Sequence, residues 1–341
     1  MKKVFIIPPI LIAIIVSIAG VRIAQRQSGQ PNSGKTRAQV ELPTIIYAMP
    51  ITVAAIPSYV ALKKGFWEEE GLRVQPQMFS AGRLALDALL GGNAEVMSVS
   101  ETPLVHAILQ GNDIAIVATV TEHQETKIIA RVDKGIIKPG DLIGKRIATL
   151  AGTNSDYFLT VFLKKYNIGL DQVRIVNMPP PDMVTALVKG DIDAYAAWEP
   201  HIYYAKKQLG DKATVFEPGE LYNGRHTVAM NKKFVQKNPV IVQQLIKGLL
   251  RAEQFVKENP TESIKIVSDV TGVPTEAVEL LWKEYVVDVQ LDERFLEIIN
   301  KEGQWAASLR KPAATLPNFR GYIFTQALKN ERPSSVKGLG E

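Results

Sequence analysis

"ALLGGNAEVMSVSETP" (residues 88–103) and "ALVKGDIDAYAAWEPH" (residues 186–201) are two versions of one pattern. Each opens with Ala-Leu, reaches a glycine (Gly92, Gly190) and places an acid three residues later (Glu95, Asp193). A run of small residues follows, then a polar loop ending at Pro103 or Pro200. The pattern predicts a helix stopped by glycine, whose backbone can turn left-handed, and then a short strand. That strand carries Ser100-Glu101-Thr102 or Trp198-Glu199 to the carboxyl edge of a sheet, where open α/β folds bind ligands. Two copies predict two lobes with facing edges and a shared cleft.

The flanking segments have the same grammar. "TIIYAM" (44–49), "LRVQPQMF" (72–79) and "AEVMSV" (94–99) read as strands; "SYVALKKGFWEEEG" (58–71) and "SAGRLALDALLGG" (80–92) read as helices. In the second half "KRIATL", "VRIVNM" and "DAYAAW" are strands, separated by the helical stretches "GTNSDYFLTVFLKKYNI" and "PDMVTALVKG". Such alternation predicts an α/β fold with mainly parallel sheets flanked by helices. After about residue 232 apolar spacings of three and four predict a helical region, closed by one more helix in "PNFRGYIFTQAL" (317–328). Trp282 and Trp305 fall there and read as packing residues.

The chain of 341 residues is long enough for two cores. Its net charge of +5 comes from residues 1–40, which hold Lys2, Lys3, Arg22, Arg26, Lys35 and Arg37 and no acid. The remainder has 34 basic residues against 35 acidic ones, which argues against nucleic-acid binding. Lys2 and Lys3 precede the apolar run Val4–Val21, the pattern of an export signal. Residues 1–21 are expected to be a cleaved signal peptide or a retained anchor, and 22–42 a flexible tether. There is no cysteine, so disulfides, thiol nucleophiles and a lipoprotein anchor are all excluded. No cofactor and no metal site is expected, because His106 and His201 have no ligand spacing.

In sequence order, "ALKKGFWEEEGLRV", "SAGRLALDALLGGNAEV", "DLIGKRIATLAGTNSDYFLTVFLKKYNIGLDQVRIVNMPPPDMVTALVKGDIDAYAAWEP" and "NPVIVQQLIKGLLRAEQFV" resemble the solute-binding proteins of ABC importers for nitrate, taurine, aliphatic sulfonates and thiamine precursors. The likeness spans about residues 43–330. It implies a two-lobed periplasmic binding protein fold of type II, with crossovers near Thr121–Thr126 and Tyr222–Thr227. Lobe I is then 43–122 plus 227–341, and lobe II is 123–226. It also implies a monomer that closes over a small-molecule solute and delivers it to an ABC permease in the inner membrane.

Ligand contacts are expected at the loops that follow strands. In lobe I these are Ser58 and Tyr59, then Ser80, Ala81 and Gly82 at a helix start, then Ser100 and Thr102. In lobe II, Gly152, Thr153, Asn154 and Ser155 open a helix whose N–H groups suit an anion; Asn154 or Ser155 acting only as a cap is the alternative. Trp198 offers a flat wall. Glu199 either faces an amino group of the ligand or pairs with a lysine or arginine. Glu122 and His123 at the first crossover, and Arg225 and His226 at the second, serve ligand or hinge, and Arg225 is the cation best suited to a carboxylate, sulfonate or phosphate. Two further functions remain open: a tethered ligand sensor without a permease, and a pyrimidine-synthesis enzyme on the same fold. The enzyme chemistry resembles a His- and Cys-dependent reaction, which this cysteine-free chain lacks the residues to perform.

Overall fold

A computed structural model describes residues 42–310 and 315–339. The apolar run, its cleavage site and nearly all of the tether lie outside the described residues. The strands are β1 Thr44–Pro50, β2 Arg73–Phe79, β3 Val96–Ser100, β4 Ile114–His123, β5 Lys127–Arg131, β6 Arg146–Thr149, β7 Arg174–Asn177, β8 Ala194–Ala197, β9 Ala213–Phe216, β10 Gly224–Asn231, β11 Tyr285–Asp292 and β12 Val336–Lys337. They form a seven-stranded sheet, β12-β11-β4-β10-β3-β1-β2, and a five-stranded one, β7-β6-β8-β5-β9. The chain leaves the first sheet after His123, enters the second at Lys127, and returns between Phe216 and Gly224.

Both sheets are mixed where the sequence reading expects mainly parallel pairing. β2-β1-β3 and β7-β6-β8 are parallel, whereas β10 runs antiparallel to β3 and β4, and β5 antiparallel to β8 and β9. The antiparallel strands border the two passages between sheets, where the chain reverses direction instead of crossing over a helix.

The repeated pattern has a structural meaning. Gly92 and Gly190 take φ of 74° and 86°, a left-handed backbone that glycine adopts without strain. The acids that follow do the same job in each lobe. Glu95 Oε2 accepts the Ile46 N–H of β1 at 2.7 Å, and Asp193 Oδ2 accepts the Arg146 N–H of β6 at 2.9 Å. Each helix–glycine–strand unit is thereby clamped to the parallel neighbour of its own strand.

Strand periodicity divides the second lobe's core in two. Ile128, Ile147, Ala194 and Ala196 pack on one face, and Ile129, Ala148, Tyr195 and Ala197 on the other. The larger sheet shares one continuous core with the helices of the C-terminal half. There Trp67 meets Gly248 of the helix Pro239–Glu258 so closely that an added Cβ would fall 2.2 Å from the indole.

Three expected elements differ. The helix over 58–71 begins at Ile56 and breaks at Gly65 into Ile56–Lys64 and Phe66–Glu69. β11 lies in the stretch read as helical: Tyr285, Val287, Val289 and Leu291 are buried at period two, a strand signal masked by the helical spacing of the preceding "TEAVELL". The expected helix at 317–328 is a 3-10 turn at Phe319–Tyr322, a bridge from Ile323 to Ile116, and a helix only from Gln326 to Glu331.

Candidate functional site

Residues from both sheets line one cleft. On the side of the first sheet the wall comprises Pro50, Ile51 and Thr52 beyond β1, Ala81–Arg83, Val99, Ser100 and Pro103, with His226 of β10 beside them. From the second sheet come Thr153, Asn154 and Trp198, and Glu125 lies in the first passage between the sheets. Ser100 and Trp198 occupy the same place in the repeated pattern, so the two copies deliver equivalent residues to opposite walls.

Three helices start on these walls: Gly82–Leu90, Glu101–Leu109 and Asn154–Lys165. None has a side-chain cap, so first-turn N–H groups stay without side-chain acceptors. The first start depends on glycine, because a Cβ on Gly82 would lie 2.4 Å from Val99 Cγ2. Asn154 does not cap its own helix. Its amide donates to Thr126 Oγ1 at 2.8 Å and ties the second wall to the first passage. Thr153 Oγ1 donates to Leu150 O at 2.6 Å and shares a hydrogen bond with Ser155, which is buried behind it.

Of the residues expected from sequence, Ala81, Gly82, Ser100, Thr153, Asn154 and Trp198 line the cleft. The others lie beside or behind it. Ser58 bonds Tyr47 in the core at 2.9 Å, and the Tyr59 hydroxyl donates to Pro50 O, propping the loop that carries Thr52. Both face inward because their helix begins earlier than expected. Ser80 is exposed before the wall, Gly152 is half-buried near Arg83 and His106, and Thr102 is buried with its hydroxyl unpartnered. Arg225 pairs with Glu122 at 2.7 Å. Its neighbour His226 takes the cleft side, since successive strand residues point to opposite faces. His123 is buried with no hydrogen-bond partner on either ring nitrogen among the described residues.

The two glutamates at matching pattern positions act as struts. Glu101 accepts the Arg225 N–H at the start of β10 at 2.9 Å and the hydroxyl of Tyr222 on the return passage. Glu199 accepts Lys127 Nζ at 3.1 Å and the Tyr203 N–H at 2.9 Å. Burial raises the Glu199 pKa and Lys127 opposes the rise. Burial also works against the Lys127 charge, but Glu199, Glu284 and Glu217 around it outweigh that and raise its pKa.

Sequence reasoning passed over Thr52, Arg83 and Glu125, and placed His226 beside Arg225 as a ligand or hinge residue. Arg83 directly follows the expected contact Gly82, and strand parity at the return passage would have favoured His226 over Arg225. Burial pushes the Glu125 carboxyl up to about 8, and the same cause pulls the His226 imidazole down to about 3.

Away from the cleft, Tyr157 of the Asn154–Lys165 helix meets Trp305 of the helix Glu293–Ser308 edge-on, with ring centroids 5.2 Å apart. Trp305 also meets His106 at 5.4 Å.

Comparison with known proteins supplies the lineage. The NMT1/THI5 like family matches residues 53–263. The taurine-binding periplasmic protein of Escherichia coli is 31% identical over 241 residues, which are 67% of this chain and 74% of that protein. The periplasmic aliphatic sulphonate binding protein SsuA of Escherichia coli superposes with a TM-score of 0.71 at 17% identity, over 83% of this chain and 98% of that one. The desulfurization enzyme DszB has the same fold, with a TM-score of 0.64 at 15% identity over 86% of this chain and 99% of its own. With its two sheets, shared cleft and matched sequence, the chain belongs to the NMT1/THI5-like family and has the two-lobed periplasmic binding protein fold.

Proposed function

We propose that this chain is the extracytoplasmic solute-binding component of an ABC importer and that its solute is a small organic sulfonate. The observation that carries this reading is the convergence of three helix starts without side-chain caps on one cleft lined from both sheets. Helix N-termini carry about half a positive charge and unpaired N–H donors, which suit a tetrahedral anionic group. The names of the taurine- and sulphonate-binding relatives support the same solute class. Ala81, Gly82, Ser100, Thr153 and Asn154 then surround the anion, and Trp198 covers its carbon chain.

The passages at 124–126 and 217–223 act as the hinge in this reading. Sheet membership then gives lobe I as 43–123 plus 224–339 and lobe II as 127–216. Closure is favoured because the solute touches both walls at once only in the closed form. A monomer exported by its N-terminal apolar run, then cleaved or held at the membrane by that run, delivers the solute to a permease. Among the described residues no helix is long and apolar enough to cross a membrane. Binding is preferred to catalysis because the relative at 31% identity is named as a binding protein, whereas DszB shares only the fold.

Thermal-shift and calorimetric titration of the full chain against alkanesulfonates, taurine, nitrate, amino acids and pyrimidines tests the proposal. Saturable stabilisation by a sulfonate is expected. A folded protein that responds to pyrimidines and to no sulfonate would replace the solute class.

A further inference from the structure

The cleft lining carries two kinds of chemistry. Arg83 and the three helix starts supply donors. The carboxylate among them is Glu125, 2% exposed, in the passage between β4 and β5. Its Oε2 accepts the Tyr285 hydroxyl at 2.7 Å, with Thr52 Oγ1 at 3.5 Å. No hydrogen bond reaches Oε1 among the described residues, and the nearest ring nitrogen, His123 Nδ1, is 3.8 Å away. The surrounding charge is also unbalanced. Among the described residues Lys127 is the cation acting on it, and it is already shared by Glu199 at 3.1 Å, Glu284 at 2.5 Å and Glu217 at 3.6 Å. Independently, His226 lines the same cleft at 1% exposure, and neither of its ring nitrogens has a partner among the described residues. Buried polar groups left incomplete by the protein are completed by what binds.

Resting on the sulfonate reading above, we propose that Glu125 selects a solute that bears an amino group. It receives an ammonium group, with neutral His226 as a second acceptor. The ligand class is therefore a short zwitterion, acidic at one end and amino at the other. A charge-assisted hydrogen bond to a buried carboxylate is strong once both partners leave water. A plain alkanesulfonate would leave Glu125 unmatched.

This assignment has a pH signature. Burial chiefly, and the Glu199 and Glu284 carboxylates in addition, raise Glu125 to about 8, against the hydrogen bond from Tyr285 and the charge of Lys127. Among the other groups facing it, burial raises Glu199, and Lys127 opposes that rise. Burial keeps His123 neutral and raises Tyr59, Tyr222 and Tyr285, while Glu284 is raised only to about 6. Ammonium binding needs ionised Glu125, so below about pH 8 it releases a proton, and affinity rises with pH toward that value. A sulfonate without an amine prefers the protonated acid and weakens as pH rises.

Calorimetry of the full chain with taurine and with ethanesulfonate, at about pH 6 and pH 8 and in buffers of different ionisation heat, tests this. Taurine is expected to bind at least about tenfold tighter than ethanesulfonate at the higher pH, with proton release at the lower. Glu125→Gln keeps the acceptor for Tyr285 and should abolish both the preference and the proton release while ethanesulfonate still binds. Equal affinities at the higher pH, or a preference that survives in Glu125→Gln, overturn the assignment and leave the sulfonate reading intact. Failure of both sulfonates to bind overturns both. If the variant does not fold, the wild-type ligand pair alone decides.

Discussion

The two copies of the repeated pattern build the same frame and put different chemistry on it. In both, glycine ends a helix, an acid clamps the neighbouring strand, and a glutamate braces a passage between the sheets. The residue just before that glutamate is Ser100 in lobe I and Trp198 in lobe II, and both line the cleft. The repetition therefore specifies scaffold, and the copies differ at the cleft-lining positions Ser100 and Trp198. Glu199, expected either to face an amino group or to pair with a lysine or arginine, pairs with Lys127.

The largest expected effect tests the brace in lobe II. Lys127→Met leaves Glu199 buried without its cation and should lower stability by about 4 kcal/mol in urea unfolding. Tyr222→Phe, which removes only a hydroxyl from the matching lobe I brace, should cost about 1 kcal/mol. A larger loss from Tyr222→Phe would reverse the assignment of the stronger brace.

His226 has no counterpart in lobe II, so its titration isolates lobe I. Its folded pKa of about 3 lies below the unfolded value of about 6.5, so protonation favours the unfolded chain. Stability from this group is present above pH 6.5 and is lost as pH falls toward 3. Relative to His226→Gln, the wild type should lose about 3 kcal/mol between pH 6.5 and 4, and parallel stability curves would remove the buried neutral imidazole.

The walls themselves are compared by binding. Trp198→Ala should weaken solute binding by about 2 kcal/mol and Ser100→Ala by about 1 kcal/mol, with both proteins unfolding near the wild-type midpoint. Equal losses would mean that the differing positions do not divide apolar cover from anion contact. The smallest effect concerns the strand clamps. Glu95→Ala should cost about 1 kcal/mol in denaturant unfolding, and Asp193→Ala somewhat more because Arg146 also loses a carboxylate at 2.8 Å.

Much of this frame was legible in the sequence because its signals are local. Helix-ending glycines, β-branched runs and the repeated pattern located the helix–strand units of both lobes, and the helix starts at Gly82 and Asn154 identified part of the cleft. Side-chain direction was not legible. Arg225 and His226 differ by one residue, and strand parity sends one to Glu122 and the other to the cleft. Ser58 and Tyr59 were displaced by a helix start two residues earlier than expected. Glu125 lies in a short passage without periodicity, where only the folded chain reveals its surroundings. β11 was missed because its pairing partner β4 lies far back in the sequence.

The edge-on contact between Tyr157 and Trp305 joins the lobes without involving any solute. Such a pair contributes about 0.5–1.5 kcal/mol, so it biases how often the empty jaws meet. Solute affinity scales with that resting occupancy. A change at the outer rim can therefore retune capture while every atom of the binding cleft stays the same.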